Sequence, residues 1–427
     1  MKLINKLSLL ALATLGINVN AQELDINLQL RPRYEYRNGF KELMKDGSLP
    51  TSFVSQRSRL DFNYKQEHLK AKLTFQNVRN WGDVTTTSTA DKNGIALYEA
   101  WAQYDLDSIW SVKLGRQPLS YDNQRIMGGI DWIQQAQAHD AVLIKFATKK
   151  HQFDLGFALN TESEKLYRDL YTISSYKNMQ YAWYHTNLNK LGMSLLFSNA
   201  GYQYKEIPSN DLKIDYIQTF GTYLDFIHNK FDANLGIYGQ TGEAKLITEN
   251  TSVSAFYGGI AANYGFTQKF KGGLGFEYLS GKNQDDTSNK IKSFYPLFGT
   301  NHAFNGLMDY FYVGNYKNNA GLQDFYAKFI FTLNKWQFNL TPHAFATAGK
   351  VLDPVDLTKN MNNYLGTEID LVATFNYKKE ITLSAGYSQM FGTRTLEVLK
   401  AGNAGYNNNW AWVMININPR IFTTTIK

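Results

Sequence analysis

Arg31 and Arg33 stand two residues apart, and so do Arg57 and Arg59, each pair in a stretch where polar and apolar residues alternate. Alternation is the period of a β-strand, so each pair projects from one strand face. Guanidinium groups in such rows offer fork-shaped donors to carboxylates. In the first stretch that face also carries Asp25, Asn27, Gln29, Glu35 and Arg37, opposite Leu24, Ile26, Leu28, Leu30, Tyr34 and Tyr36. A third stretch adds Lys70 and Lys72 opposite Leu69, Ala71, Leu73 and Phe75. Two readings stay open for these groups. They pair with interspersed acids such as Asp61 and brace a wall, or they form a surface that conducts anions. The three stretches carry more basic than acidic groups on that face, which favours the anion path for the cluster as a whole. Later stretches set Glu368 and Asp370 opposite Leu365, Ile369 and Leu371, and group Asp324, Tyr326 and Lys328 on another polar face.

Other chemistry is not announced. The seven histidines have no short metal-ligand spacing, and there is no cysteine for thiol chemistry or a disulfide framework. No Gly-x4-Gly-Lys-Ser/Thr loop is present to bind a nucleotide. Gly272-Gly273-Leu274-Gly275 lies within a strand, where glycine marks a bend or close packing. Asp285-Asp286 in the longest loop could bind calcium, but a lone acid pair in a polar loop is usually just solvated. No cofactor is expected. A Ser-His-acid set could be assembled from different strands, so a membrane-embedded hydrolase remains an alternative.

The elements that must position these groups are regular. Eighteen alternating stretches run between residues 24 and 422. Long gaps follow the odd-numbered ones, at 38–52, 80–94, 118–139, 161–177, 201–213, 242–250, 282–321, 347–362 and 392–408. Short turns follow the even-numbered ones, among them Lys149-Lys150, Asn189-Lys190, Asn229-Lys230, Asn334-Lys335 and Lys378-Lys379. A soluble sandwich has no reason to keep its long loops on one side. A transmembrane β-barrel does, with short turns in the periplasm and long loops outside. The fold class expected is therefore all-β, a transmembrane antiparallel up-and-down barrel of about 18 strands. A barrel of that size leaves an aqueous channel unless loops fill it. Loop 118–139 carries Ile126, Met127, Ile130, Trp132 and Ile133, which are poorly placed in water. It is expected to fold inward and narrow the pore; packing on the rim is the other arrangement open to it.

The chain ends agree. Lys2 and Lys6, the apolar stretch Leu7 to Ile17 and Val19-Asn20-Ala21 read as a secretory signal cut after Ala21. Residues 22–427 then form a single barrel domain in the outer membrane. Aromatic content is 15%, with 28 tyrosines and 27 phenylalanines, which suits interfacial girdles. Net charge is +7, and the mature chain stays basic after losing Lys2 and Lys6. A secreted barrel makes nucleic acid an unsuitable partner, leaving anionic solutes and outer-membrane lipid.

One segment is distinctive: Leu114-Gly115-Arg116-Gln117, a loop with Arg125, then Gly128-Gly129, Asp131-Trp132 and Asp140. It resembles the alginate-export family of outer-membrane porins. Asn305-Gly306-Leu307-Met308-Asp309-Tyr310-Phe311 is similar to the family's long extracellular loop, and 365–371 and 386–388 to its late strands. The resemblance implies a monomeric eighteen-stranded barrel with an electropositive constriction that acidic polysaccharide crosses by diffusion. By the match, Arg116 and Arg125 are candidate ligands for uronate carboxylates, and Asp140 orients an arginine or shapes the constriction. Pairing of Arg116 with Asp140 between adjacent strands is an equal alternative.

The expected function is a passive channel for anionic polysaccharide or related saccharides, not an enzyme. The substrate-binding and pore-lining candidates are Arg31, Arg33, Arg57, Arg59, Arg116, Arg125, Asp140, Glu368 and Asp370. A general porin for small anions and a structural or adhesive barrel are the other readings. Secretion proteins of the periplasm are further candidate partners.

Overall fold

The computed structural model describes residues 22–426 apart from 174–175, 247–248 and 312–318. The expected signal segment lies outside the described residues. The strands are β1 (Gln22–Asn38), β2 (Thr51–Gln66), β3 (Leu69–Asn80), β4 (Ala96–Asp105), β5 (Trp110–Gln117), β6 (His139–Ala147) and β7 (His151–Leu159). There follow β8 (Asn178–Leu188), β9 (Leu191–Lys205), β10 (Leu212–His228), β11 (Phe231–Leu246), β12 (Glu249–Gly265) and β13 (Phe270–Leu279). A two-residue β14 (Lys290–Ile291) lies inside a loop. The chain ends with β15 (Leu322–Leu333), β16 (Trp336–Ala346), β17 (Tyr364–Lys378), β18 (Ile381–Gly392), helix α1 (Arg394–Lys400), β19 (Asn408–Ile417) and β20 (Arg420–Ile426).

Each wall strand pairs antiparallel with its sequence neighbours, and β1 closes on β19 and β20. β14 adds only a parallel bridge to Ser252 and Val253 of β12, and β20 continues the line of β19. The wall is thus a closed barrel of eighteen antiparallel strands. Closure leaves no unpaired edge, which lipid requires.

Alternation decides the faces. In β1, Arg31 and Arg33 are buried while Leu28 and Tyr34 are exposed on the outer side. In β15, Asp324 is buried while Phe325, Phe329 and Phe331 face outward. The short turns explain their own sequence. Asn189, Asn229 and Asn334 adopt φ of 60°, 55° and 53°. Asparagine tolerates this left-handed conformation, which a two-residue hairpin turn needs.

Three features depart from the expected string. The last strand is broken at Asn418-Pro419, where proline cannot donate to the ladder. Gap 392–408 contains α1, whose Leu396 is fully buried. Strands β9 and β11 run on to Lys205 and Leu246, past the expected ends at 200 and 241.

The apolar core lies inside the barrel. Met127 and Phe298, with Phe294, Met308 and Tyr310, come from two loops and pack against Met179, Phe345 and Trp410 of the wall. Those loops are 118–138 and 280–321.

Candidate functional site

Loop 118–138 crosses the lumen and is fastened on three sides. Near its start, the Tyr121 hydroxyl donates to Asp154 of β7 at 2.8 Å, and Trp183 Nε1 of β8 donates to the Asp122 carboxylate at 3.2 Å. In its middle, Arg125 Nη2 donates to Glu277 of β13 at 2.9 Å and to Asn305 at 2.7 Å, with Nη1 3.2 Å from Asn301. Its far part, Asp131 to Gln135, lies on the arginines of β1 and β2.

That last contact is dense. Arg31 donates to the carbonyls of Asp131 (2.8 Å), Trp132 (3.3 Å) and Ile133 (3.2 Å) and to the Gln134 amide (3.0 Å). Arg33 donates to the Trp132 carbonyl at 2.7 Å and to Glu35 at 2.9 Å. Arg57 and Arg59 reach the Asp131 carboxylate at 2.8 and 3.6 Å, and Arg31 reaches it at 3.2 Å. All four arginines are buried, whereas the Asp131 side chain is 66% exposed. Partial desolvation inside the barrel acts to raise the Asp131 carboxyl. The hydrogen bond and charge of Arg57, with Arg31 and Arg59 behind it, outweigh desolvation and hold it below the usual carboxylate range.

Trp132 anchors the loop next to this point. Its ring stacks on His302 at 4.4 Å and meets Trp410 and Trp412 edge-on at 5.6 and 5.0 Å. The Arg33 guanidinium lies 4.0 Å from the same ring. Such aromatic pairs contribute about 0.5–1.5 kcal/mol each beyond area burial.

Glu368 and Asp370 are wall residues, and both are buried beneath loop 280–321. Glu368 accepts the backbone N–H of Met308 at 2.8 Å, and Asp370 accepts that of Leu307 at 3.1 Å. The loop can sit this low because Gly306, at φ +83°, has no side chain: a Cβ would lie 2.7 Å from the Glu368 carboxyl. His343 bridges the neighbouring acids, with Nδ1 2.9 Å from Asp324 and Nε2 3.7 Å from Asp370. On the short-turn side of this loop a cavity of about 380 Å³ is bordered by Asn234, Asn263, Lys328 and Asn339.

Arg116 and Asp140 are placed apart from the rest. They pair at 2.8 Å across β5 and β6. Their parity is that of Leu114, Val142 and Ile144, which are exposed, while the intervening His139, Ala141 and Leu143 are buried. The pair therefore stands on the outer face at the long-loop rim, not in the lumen. It borders a rim cleft of about 640 Å³ that Tyr171, Tyr176 and Phe298 also line.

The structure thus gathers Arg31, Arg33, Arg57 and Arg59 around one loop tip. Arg125 braces the middle of that loop, and Glu368 and Asp370 brace the second loop. Asp131 was legible only as a member of the motif, and Trp132 also as one of the apolar residues expected to draw the loop inward. Gln134 and Glu277 carried no signal of their own, and Asn305 only that of the 305–311 segment.

Solved barrels resemble the architecture. Acinetobacter baumannii OccAB4 superposes with a TM-score of 0.62 at 10% identity, over 94% of this chain and 98% of that one. Pseudomonas aeruginosa OccK9 (OpdG) gives 0.61 at 12% identity, over 94% and 98%. Pseudomonas aeruginosa OccK2 (OpdF), solved in complex with glucuronate, gives 0.59 at 11% identity, over 93% and 98%. At such identities the likeness is one of fold, that of outer-membrane porins. No curated protein matches the chain in sequence. The sequence profile of alginate export matches residues 22–397, nearly the whole barrel, and the chain belongs to the alginate export family.

Proposed function

We propose that this outer-membrane channel passes anionic saccharides, polyuronate among them, by passive diffusion past the Arg31, Arg57 and Arg59 cluster. The observation that carries the reading is the set of three guanidinium groups within 3.6 Å of one lumen-exposed carboxylate, Asp131. A site that holds an internal carboxylate has the donor geometry and charge to exchange it for a carboxylate on a passing solute. Lys113 strengthens the basic side of the lumen, its ammonium 3.8 Å from the Trp101 ring. Lys328, among the asparagines of the lower cavity, offers a cation beside amide groups that suit sugar hydroxyls. The family and fold are those of a transport channel, which favours passage over catalysis.

A general porin for small anions is the second reading. It is favoured by the two loops that fill the upper lumen, since a narrow path suits a small anion as well as an extended polymer. Planar-bilayer recording separates the two. Anion selectivity with block by polyuronate, weakened in Arg57→Ala, supports the saccharide path. Anion selectivity without block supports the general porin, and a cation-selective wild type overturns both.

A further inference from the structure

Six consecutive short turns, from the one after β6 to the one after β17, each carry lysine. Lys149 and Lys150 join β6 to β7, Lys190 joins β8 to β9, and Lys230 joins β10 to β11. Lys269 precedes β13, Lys335 joins β15 to β16, and Lys378 and Lys379 lead from β17 into β18. All are exposed, and the same turns hold a single carboxylate, Glu380. Three lumen lysines behave differently: Lys70, Lys72 and Lys145 each have a carboxylate partner within 2.9 Å. Among the described residues none of the turn lysines is ion-paired to a carboxylate.

Where the turn lysines have neighbours, they lean outward. Lys335 donates to the Tyr377 carbonyl at 2.8 Å, and its ammonium and that of Lys378 lie 5.9 and 5.6 Å from the Tyr377 ring. Tyr377 shares the outer face of β17 with Leu371 and Phe375. Lys190 Nζ lies 3.4 Å from Nε2 of His228, which sits with Phe226 on the outer face of β10. Just above the turns the outer face carries a belt of rings. Trp336 stacks on Phe375 at 4.6 Å, Phe266 stacks on Phe270 at 5.5 Å, and Phe226 meets Phe231 at 6.2 Å. Aromatic belts mark the boundary between hydrocarbon and headgroup. Lysines one to three residues beyond that belt hold their ammonium groups at headgroup depth, with their alkyl stems along the rings.

We infer that this arc of lysines is a docking surface for anionic phospholipid headgroups of the periplasmic leaflet. Each ammonium donates to phosphodiester oxygens, and the lipid supplies the negative charge that the turns lack. The outward lean onto Tyr377 and His228 sets the lysines towards lipid rather than towards the pore. Their spread over six turns matches an annulus of separate small ligands. The arc is not a full ring: the turns after β2 and β4 carry Glu67 and Asp107 instead. Anionic lipid is therefore concentrated on the β6–β18 side.

The test is lipid retention by the full chain, folded in detergent and read by native mass spectrometry with phosphatidylglycerol or phosphatidylcholine added. The wild type is expected to retain phosphatidylglycerol in preference. Substituting Lys335→Gln, Lys378→Gln and Lys379→Gln together should lower that preference on the order of tenfold, with the folded-barrel shift on electrophoresis intact. Lys45→Gln with Lys359→Gln, on the long-loop side, should leave it unchanged. If the triple variant fails to fold, Lys149→Gln with Lys150→Gln carries the same comparison. Equal retention of both lipids by the wild type overturns the inference, and so does full retention by the folded variant. Intact lipid preference with loss of polyuronate block from the short-turn side would assign the lysines to solute capture and also overturn it.

Discussion

Arg57 Nη1 donates to Oδ1 of Asp131 at 2.8 Å, tying strand β2 to a loop tip 74 residues further along the chain. The arginine is buried and the carboxylate faces the lumen. The acid therefore neutralises part of the basic wall at the point where a solute meets it. Asp131→Asn removes that charge while the backbone carbonyls of residues 131 to 133 still receive Arg31 and Arg33. The expected result is a folded barrel with higher anion selectivity, read as the reversal potential in a salt gradient. No change, or a shift towards cations, would refute this account of the constriction.

The same carboxylate sets a pH dependence. Its folded value is depressed by Arg57, Arg31 and Arg59, so its contribution to docking is present above the ordinary carboxylate pKa of about 4 and is lost as pH falls through the depressed value. Wild-type channels should gain conductance noise as the bath is acidified below about pH 4. Asp131→Asn channels should lack that step. Single-channel traces at stepped pH decide it.

Trp132 packs against His302, Trp410 and Trp412. Trp132→Ala should weaken docking of the loop tip by about 2–3 kcal/mol. Larger conductance and frequent open-state flicker are expected, with the barrel still resistant to detergent. An unchanged conductance would mean that the tip does not limit the pore.

Arg125 and Glu277 form a buried pair at 2.9 Å. Arg125→Ala leaves the carboxylate without its cation and should cost about 3–5 kcal/mol. Adding Glu277→Gln should restore part of the loss. Urea titration in vesicles, followed by tryptophan fluorescence, reads both. The Glu277→Gln single variant completes the cycle, and losses of the two single variants that simply add in the double would show that the residues are not coupled.

Arg116→Ala supplies the contrast. Its ion pair with Asp140 is exposed and lies on the outer face, where such pairs contribute about 0–1 kcal/mol. Ion selectivity should stay at the wild-type value. A large drop in anion preference would put Arg116 on the solute path after all.

The barrel was legible because its two signals are local: alternation with period two, and turns such as Asn189-Lys190 that follow every second strand. The wall arginines followed from the same alternation. The outward parity of Arg116 was equally readable, since Leu114 and Val142 flank the pair, but the motif match drew attention away from it. The inward fold of loop 118–139 was legible in its apolar residues, but what fastens it was not. Arg125 meets Glu277 across 152 positions and Asn305 across 180, and no short-range pattern encodes such contacts. Helix α1 was not legible because seven residues are too few to show a helical period.

The seam beside Pro419 is where the wall closes on itself. One edge of β1 is covered by β2, but the other waits for β19 and β20, the last strands of the chain. Without that seam the two ends of the wall have no fixed distance between them. Loop 118–138 is held by β1 and β2, β7 and β8, and β13 at their closed separations, so its fastening depends on closure. An open wall is expected to leave Arg125 accessible to protease, and the closed one buries it. Loss of cleavage after Arg125 becomes a clock for the moment at which the wall closes.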